Sequence, residues 1–412
     1  MPYQEGSTCL RSQSGCALHA APFLATIGQT PAGMKLLHTI RSLDPREGGI
    51  VGMVRHLVRA GQRRGHEAVV CTLDAPEAPW LREWPGPVQA LGPARGTYGF
   101  TPRLKPWLRV HSEFYDAVVM HGLWQYSSWG AWRGLAYGST PHAIFPHGML
   151  DAWFKDQEPV KYLKKAAYWP LEHLVCQSAA AVCFTAEEER RNSHQTFRPY
   201  NVREVVVGAG IEPPPDRAAA QLAAFQDRFP QLMGQPFILY FGRVHLKKGC
   251  DLLAQAFAQF GAEVEGVSLV FAGPDTDQLE PRLRDLMPDD LQTRVHFTGM
   301  LEGEVKWGAL RAAEVFIIPS HQENFCLAAA EALACGTPAL VSDKVNIWRE
   351  IVEDGAGFVQ PDSVAGTLAL LRQWFKTPAA ERDVIRLRAR ECFARHFSID
   401  HVYDNLVRVF VP

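Results

Sequence analysis

Two short runs in the second half of the chain combine residue types suited to a charged, hydroxylated ligand. The first is Phe241-Gly242-Arg243-Val244-His245-Leu246-Lys247-Lys248-Gly249, which follows an apolar strand-like stretch and precedes a helical one over 250–260. A glycine lets the backbone turn sharply, and Arg243 and Lys248 emerge at the strand's carboxyl end. A guanidinium fork and an ammonium point charge there suit a diphosphate. The G-x-x-x-x-G-K-[ST] phosphate loop is absent. The second run is Pro319-Ser320-His321-Gln322-Glu323-Asn324-Phe325, with a helix over 326–334 that carries Glu331. The amides of Asn324, Phe325 and Cys326 at the helix start form an anion site. Glu331 stands among Ala328, Ala329, Ala330, Ala332, Leu333 and Ala334, where a carboxylate needs partners. Eight residues of helix rise about 12 Å, more than the roughly 5–9.5 Å between the carboxylates of a glycoside hydrolase. Two carboxylates holding two different sugar rings fit better than an acid/base pair.

The first half offers weaker signals. Arg46-Glu47-Gly48-Gly49-Ile50 joins a strand to a helix, and paired glycines there admit a ligand close to the backbone. Met120-His121-Gly122 and Pro146-His147-Gly148-Met149 set histidines at strand ends. Val207-Gly208-Ala209-Gly210 imitates the start of a dinucleotide fingerprint, but Pro213 occupies the third glycine position and excludes it.

The elements that must carry these residues follow from the rest of the chain. Its 412 residues exceed one ordinary domain. Short apolar runs at 35–40, 68–72, 117–120, 142–146, 181–184 and 204–207 alternate with helical patterns such as 50–64. Glu212-Pro213-Pro214-Pro215 then reads as a stiff connector. Alternation resumes with strands at 237–241, 268–272, 295–298, 315–318 and 338–341. Two doubly wound α/β domains facing a cleft are predicted, with ligands at the strands' carboxyl ends. The boundaries read as an N-terminal domain over 34–213, a C-terminal domain over 214–395, and a last helix over 396–412 that packs back on the first domain. Residues 1–33 show neither periodicity and read as a disordered extension, with Met34 as the natural start. The stretch 16–27 fits a secretory signal poorly, because His19 and Pro22 interrupt it.

Composition sets the outer limits. The formal net charge of −2 argues against a generally basic nucleic-acid binder, and no apolar run reaches the roughly 18 residues that a membrane-spanning helix needs. Nine cysteines, none in a C-x-x-C pair, argue for a reducing cytosol over a disulfide or zinc scaffold. The charge is uneven: residues 1–215 hold 22 basic and 18 acidic side chains, net +4, and residues 216–412 hold 20 and 26, net −6. Eight of the 11 tryptophans also fall in the first part. That charge and those tryptophans are expected on an acceptor side. Residues 153–174 mix Lys155, Lys161, Lys164 and Lys165 with Trp153, Phe154, Tyr162, Tyr168 and Trp169. They read either as a helix lying on an anionic membrane or as a surface helix with its aromatics in the core.

Taken together, the ordered pair G-R-x4-K-G (242–249) and Glu323…Glu331 within P-S-H-Q-E-N-F-x8-A-x-G-T-P resembles family 4 glycosyltransferases of the GT-B fold, across 34–412. Pro146–Trp153 (P-H-G-M-L-D-x-W) resembles bacterial members acting in surface-polysaccharide synthesis. The resemblance implies a retaining transfer of a hexose-type sugar from a nucleotide-diphosphate sugar to a glycan or lipid-linked acceptor, with no catalytic metal and no cofactor. It implies that Arg243 and Lys248 hold the diphosphate, that Glu323 contacts donor-sugar hydroxyls beside the amides of Asn324 and Phe325, and that Glu331 takes the ribose. Gly49 would approach the phosphates, His147 the reacting centre, and Gly299 and Met300 the base. The leaving phosphate would take the acceptor's proton on the same face. A cytoplasmic enzyme touching the inner face of the membrane is expected. The alternatives are a GT-B nucleotide-sugar epimerase or a catalytically silent nucleotide-sugar binder. Two departures bear on sugar preference: many members have glycine where Cys326 stands, and a Gly-Gly loop where Lys344-Val345-Asn346-Ile347-Trp348 stands.

Overall fold

A computed structural model describes residues 33–411 apart from 153–154, 156–157 and 233. The expected extension before Met34, and Trp153 and Phe154 of the aromatic segment, lie outside the described residues.

Runs of β-branched and aromatic residues bounded by glycine and proline become buried parallel strands, as their continuous apolarity requires. The first sheet has the order β3-β2-β1-β4-β5-β6-β7. Its strands are β1 (Lys35–Ile40), β2 (Glu67–Thr72), β3 (Val88–Ala90), β4 (Ala117–His121), β5 (His142–Phe145), β6 (Ala181–Phe184) and β7 (Glu204–Val206). The second has the order β10-β9-β8-β11-β12-β13. It is built from β8 (Phe237–Phe241), β9 (Ser268–Ala272), β10 (Val295–Gly299), β11 (Val315–Ile318), β12 (Ala339–Ser342) and β13 (Gly357–Gln360). Strand order reverses between β1 and β4 and between β8 and β11, and crevices open at such points. The strands not foreseen, β3 and β13, are three and four residues long and lie at sheet edges, half exposed.

One face of the first sheet packs Leu37, Val118, Met120 and Phe184 against Leu104, Leu108 and Trp169. The other packs Leu36, Val119 and Phe145 against Met53 and Leu57 of the Gly49–Arg63 helix and against Val402, Tyr403 and Leu406 of the last helix, Ile399–Arg408. The chain therefore crosses between the halves twice, and the crossings pair: Ile211 N–H donates to Phe397 O, and Ile399 N–H to Ile211 O, each at 3.0 Å. A Cβ on Gly210 would lie 2.8 Å from Ile399 N and 2.9 Å from Phe397 O. The false dinucleotide motif thus has a packing role: its last glycine lets two strands of chain touch.

The tryptophan excess corrects an expectation. Trp169 is 1% exposed and Trp84 7%, and Trp107, Trp124, Trp129 and Trp132 pack on the first domain's core. They build the interior rather than an acceptor surface.

Candidate active site

The turn after β8 is held in place by backbone contact. Gly249 adopts φ +70°, and a Cβ there would lie 2.1 Å from Pro319 O at the end of β11. Only glycine permits that approach, which brings the Lys248 turn beside the loop carrying Glu323. The loops are stitched further by His321 N–H and Ser320 Oγ, which donate to Lys247 O at 2.9 and 3.2 Å. Glu323 itself is clamped: its N–H donates to Lys344 O at 2.9 Å, and its carbonyl accepts from Asn346 N–H at 3.0 Å. The residues that replace the expected Gly-Gly loop are thus the clamp on Glu323.

Lys248 Nζ and Glu323 Oε1 form an ion pair at the cleft. Burial works against the Lys248 ammonium, but Glu323 beside it outweighs that and raises its pKa above the ordinary value. The following helix is Leu327–Cys335, one residue later than expected. Glu323 lies outside it, so the helical rise does not measure the separation of the two glutamates. Each instead has its own lysine. Glu331 accepts from Lys306 Nζ at 2.9 Å, and Lys306 lies 4.1 Å from the centroid of the Trp307 ring. Cys326 caps the helix with φ +56°, a left-handed conformation that costs a non-glycine residue about 1–2 kcal/mol. Burial pushes its thiol up to about 12, so it is no nucleophile at neutral pH.

From the first domain, His147 sits beyond β5 at φ +52°. Its Nε2 lies 3.0 Å from His121 Nδ1, and burial pushes its pKa down to about 3, leaving a neutral ring. Gly148 N–H donates to Glu189 Oε1 at 2.5 Å, and Glu189 Oε2 accepts from Thr185 N–H at 2.7 Å. The domains meet here: Asn324 Nδ2 donates to Thr185 Oγ1 at 3.1 Å, and a Cβ on Gly148 would lie 3.1 Å from the Asn324 side chain.

These groups line one cleft of about 480 Å³, within the usual range for small-ligand sites. Of the residues singled out from sequence, Gly49, His147, Lys248, Met300, Glu323, Asn324, Phe325 and Glu331 line it. Cys326, Leu327 and Ala328 bring the helix's first-turn amides to its wall. Arg243 and Gly299 are exposed and do not line it, although the Arg243 charge reaches Lys248. Sequence reasoning missed Lys306 and Thr185. Lys306 lies on a helix, Gly303–Ala312, where lysine is the commonest surface residue. Thr185 follows β6 directly, a strand-end position that could have drawn attention to it.

Two doubly wound α/β domains in one chain, each sheet reversing its strand order at a central switch point, make up the GT-B fold. Solved structures with this fold include sucrose-phosphate synthase from Thermosynechococcus elongatus, 19% identical, TM-score 0.67, covering 92% of this chain and 98% of that one. The Anabaena protein HepE in complex with UDP-glucose is 16% identical, TM-score 0.66, covering 91% and 98%. Residues 224–391 match the family described as glycosyl transferases group 1, and residues 48–210 match the glycosyl transferase 4-like domain. The chain belongs to this glycosyltransferase family. The D-inositol 3-phosphate glycosyltransferase of Xylanimonas cellulosilytica is 34% identical over 203 residues, 46% of each chain. The chain spans about half the length of the curated relatives it matches.

Proposed function

We propose that the protein transfers a hexose-type sugar, with retention, from a nucleotide-diphosphate sugar to a glycan or lipid-linked acceptor in polysaccharide or glycolipid synthesis. The observation that carries this reading is the pair of lysine–carboxylate contacts, Lys248–Glu323 and Lys306–Glu331, at one cleft with a helix N-terminus between them. Lysines and amides match a diphosphate, and carboxylates match the hydroxyls of a sugar and a ribose. Lys248 exchanges Glu323 for the phosphate as the donor enters, which frees Glu323 for the sugar. Arg243 reaches the diphosphate from the adjoining turn. Met300, with Gly299 before it, borders the base. Gly49 leaves room for the phosphates, and His147 faces the reacting carbon.

The catalytic effect is electrostatic: positive charge already in place stabilises the diphosphate as its bond to the sugar breaks. The leaving phosphate oxygen takes the acceptor's proton on the face it departs from, so the reaction runs without a protein nucleophile, metal or cofactor. Glu323→Ala should abolish transfer while leaving the fold intact, measured as sugar release and acceptor product. Unchanged turnover would refute the assignment.

The acceptor reading extends to a membrane surface. The Pro159–Ser178 helix buries Trp169 but exposes Val160, Leu163, Tyr168, Leu171 and Leu174, with Lys161 and Lys164 in or beside that stripe. Apolar side chains flanked by lysines suit an anionic bilayer surface. Among the described residues no helix is long and apolar enough to cross a membrane. Flotation with anionic vesicles should carry the protein upward, and Leu163→Asp should release it; protein left at the bottom of the gradient would contradict this contact. Among the described residues the seven cysteines are all unpaired and buried, which supports a reducing, cytoplasmic setting.

A further inference from the structure

Three histidines run through the first domain from its core to the cleft. His38 lies in β1, His121 ends β4, and His147 follows β5 by two residues. Strand register puts them on one face. His38 sits opposite Val119, two residues before His121, and His121 sits opposite Phe145, two residues before His147. His38 Nδ1 is 3.0 Å from His121 Nε2, and His121 Nδ1 is 3.0 Å from His147 Nε2. Adjacent rings are near parallel, with centroids 5.3 Å apart in both pairs.

A neutral imidazole carries one N–H, so both bonds must run in the same direction. Burial keeps the rings neutral, with His38 pushed down to about 4 and His121 well below its ordinary value. The inner end sets the direction. His38 Nε2 is buried and has no partner among the described residues. An inward chain would leave an N–H stranded there, whereas an outward chain leaves only a lone pair. Among buried backbone groups, orphaned N–H donors are rarer than under-satisfied acceptors, and the same cost applies here. The outward chain makes His147 accept at Nε2 and carry its proton on Nδ1.

We propose that His38 and His121 are positioning residues that lock His147 as the Nδ1–H tautomer, so that it offers a fixed hydrogen-bond donor to a ligand oxygen in the cleft. The sugar-transfer reading supplies only the identity of that oxygen, a hydroxyl or phosphate oxygen of the donor. The arrangement follows a general pattern in which the partner of one ring nitrogen dictates what the other can do.

The test is a two-bond ¹H–¹⁵N correlation spectrum of the full chain with ¹⁵N-labelled histidine at neutral pH, without ligand, assigned by single substitutions. His38, His121 and His147 should all be Nδ1–H tautomers; an Nε2–H or doubly protonated His147 would overturn the proposal. In His121→Phe the lock is gone and His147 should gain Nε2–H. His121→Asn, whose amide can still donate to His147, should retain Nδ1–H. If His121→Phe does not fold, His38→Leu serves, and it should likewise loosen the His147 tautomer. A His147 tautomer indifferent to these changes would overturn the proposal. In a transfer assay, His121→Phe should lower kcat about tenfold with KM nearly unchanged, and His121→Asn should recover most of the loss. If the wild type shows the tautomers but transfers no sugar, the transfer reading fails while the histidine chain stands.

Discussion

At the scale of single residues, the cleft distinguishes glycines that the fold needs from one that it does not. Gly249 and Gly148 have positive φ and crowded Cβ positions. Gly49 has neither: a Cβ there would meet only Leu327 Cδ1, at an ordinary 3.6 Å, yet the residue lines the cleft. Its small size therefore serves whatever enters. Gly49→Ala should unfold at the same temperature as the wild type and bind a nucleotide-diphosphate sugar about tenfold more weakly, roughly 1.4 kcal/mol. Calorimetric titration checks this, and undiminished affinity would show that the ligand keeps away from Gly49. Glu331 was legible in the sequence because a charge among small apolar residues is conspicuous, and Glu323 because it stands in a loop leading off an apolar strand. Lys306 was not, because its partner Glu331 lies 25 positions away and only packing joins them.

At the scale of elements, the Pro159–Ser178 helix answers both readings of the aromatic segment. Trp169 and Tyr162 turn toward the core, and Tyr168 turns out to solvent. Helical periodicity alone did not separate these faces, because aromatic residues occupy both. The helix also buries Glu172, 5% exposed, with no partner for Oε2 among the described residues. Burial pushes its pKa up to about 7, opposed by a hydrogen bond from the Trp124 backbone. A carboxyl raised in the folded state holds its proton more tightly there than when unfolded. Its contribution is complete below the unfolded pKa of about 4.5 and is lost as pH rises through 7. Glu172→Gln should therefore leave stability unchanged near pH 4 and raise it by about 3 kcal/mol at pH 8. Denaturant melts at both values check this, and equal effects at both pH values would refute it. Central strands were readable because they are continuously apolar; the edge strands β3 and β13 were too short and exposed to stand out.

At the scale of the whole molecule, the charge split has a structural use. Arg63 of the first helix reaches Asp400 at 3.1 Å, and Arg64 reaches Asp400 at 2.6 Å and Asp404 at 2.9 Å. Arg349 of the second half reaches Glu188 of the first at 2.5 Å. Part of the first domain's positive charge thus meets the last helix, and is not left over for an acceptor. The two-domain plan was visible in the alternation of strands and helices and in the proline run after Glu212. The return of the last helix to the first domain was expected as well; the pairing of Ile211 with Ser398 beside it was not, because it joins residues almost 190 positions apart. The central claim is that a nucleotide-diphosphate sugar binds at Lys248 and Glu323, and a thermal-shift screen of nucleotide sugars tests it most directly. At about 100 times its dissociation constant the true donor stabilises the fold by roughly 2.7 kcal/mol. The wild-type melting temperature should rise by a few degrees with one or a few donors, and Lys248→Ala should lose the shift. No shift with any nucleotide sugar, or the same shift in Lys248→Ala, would contradict the account.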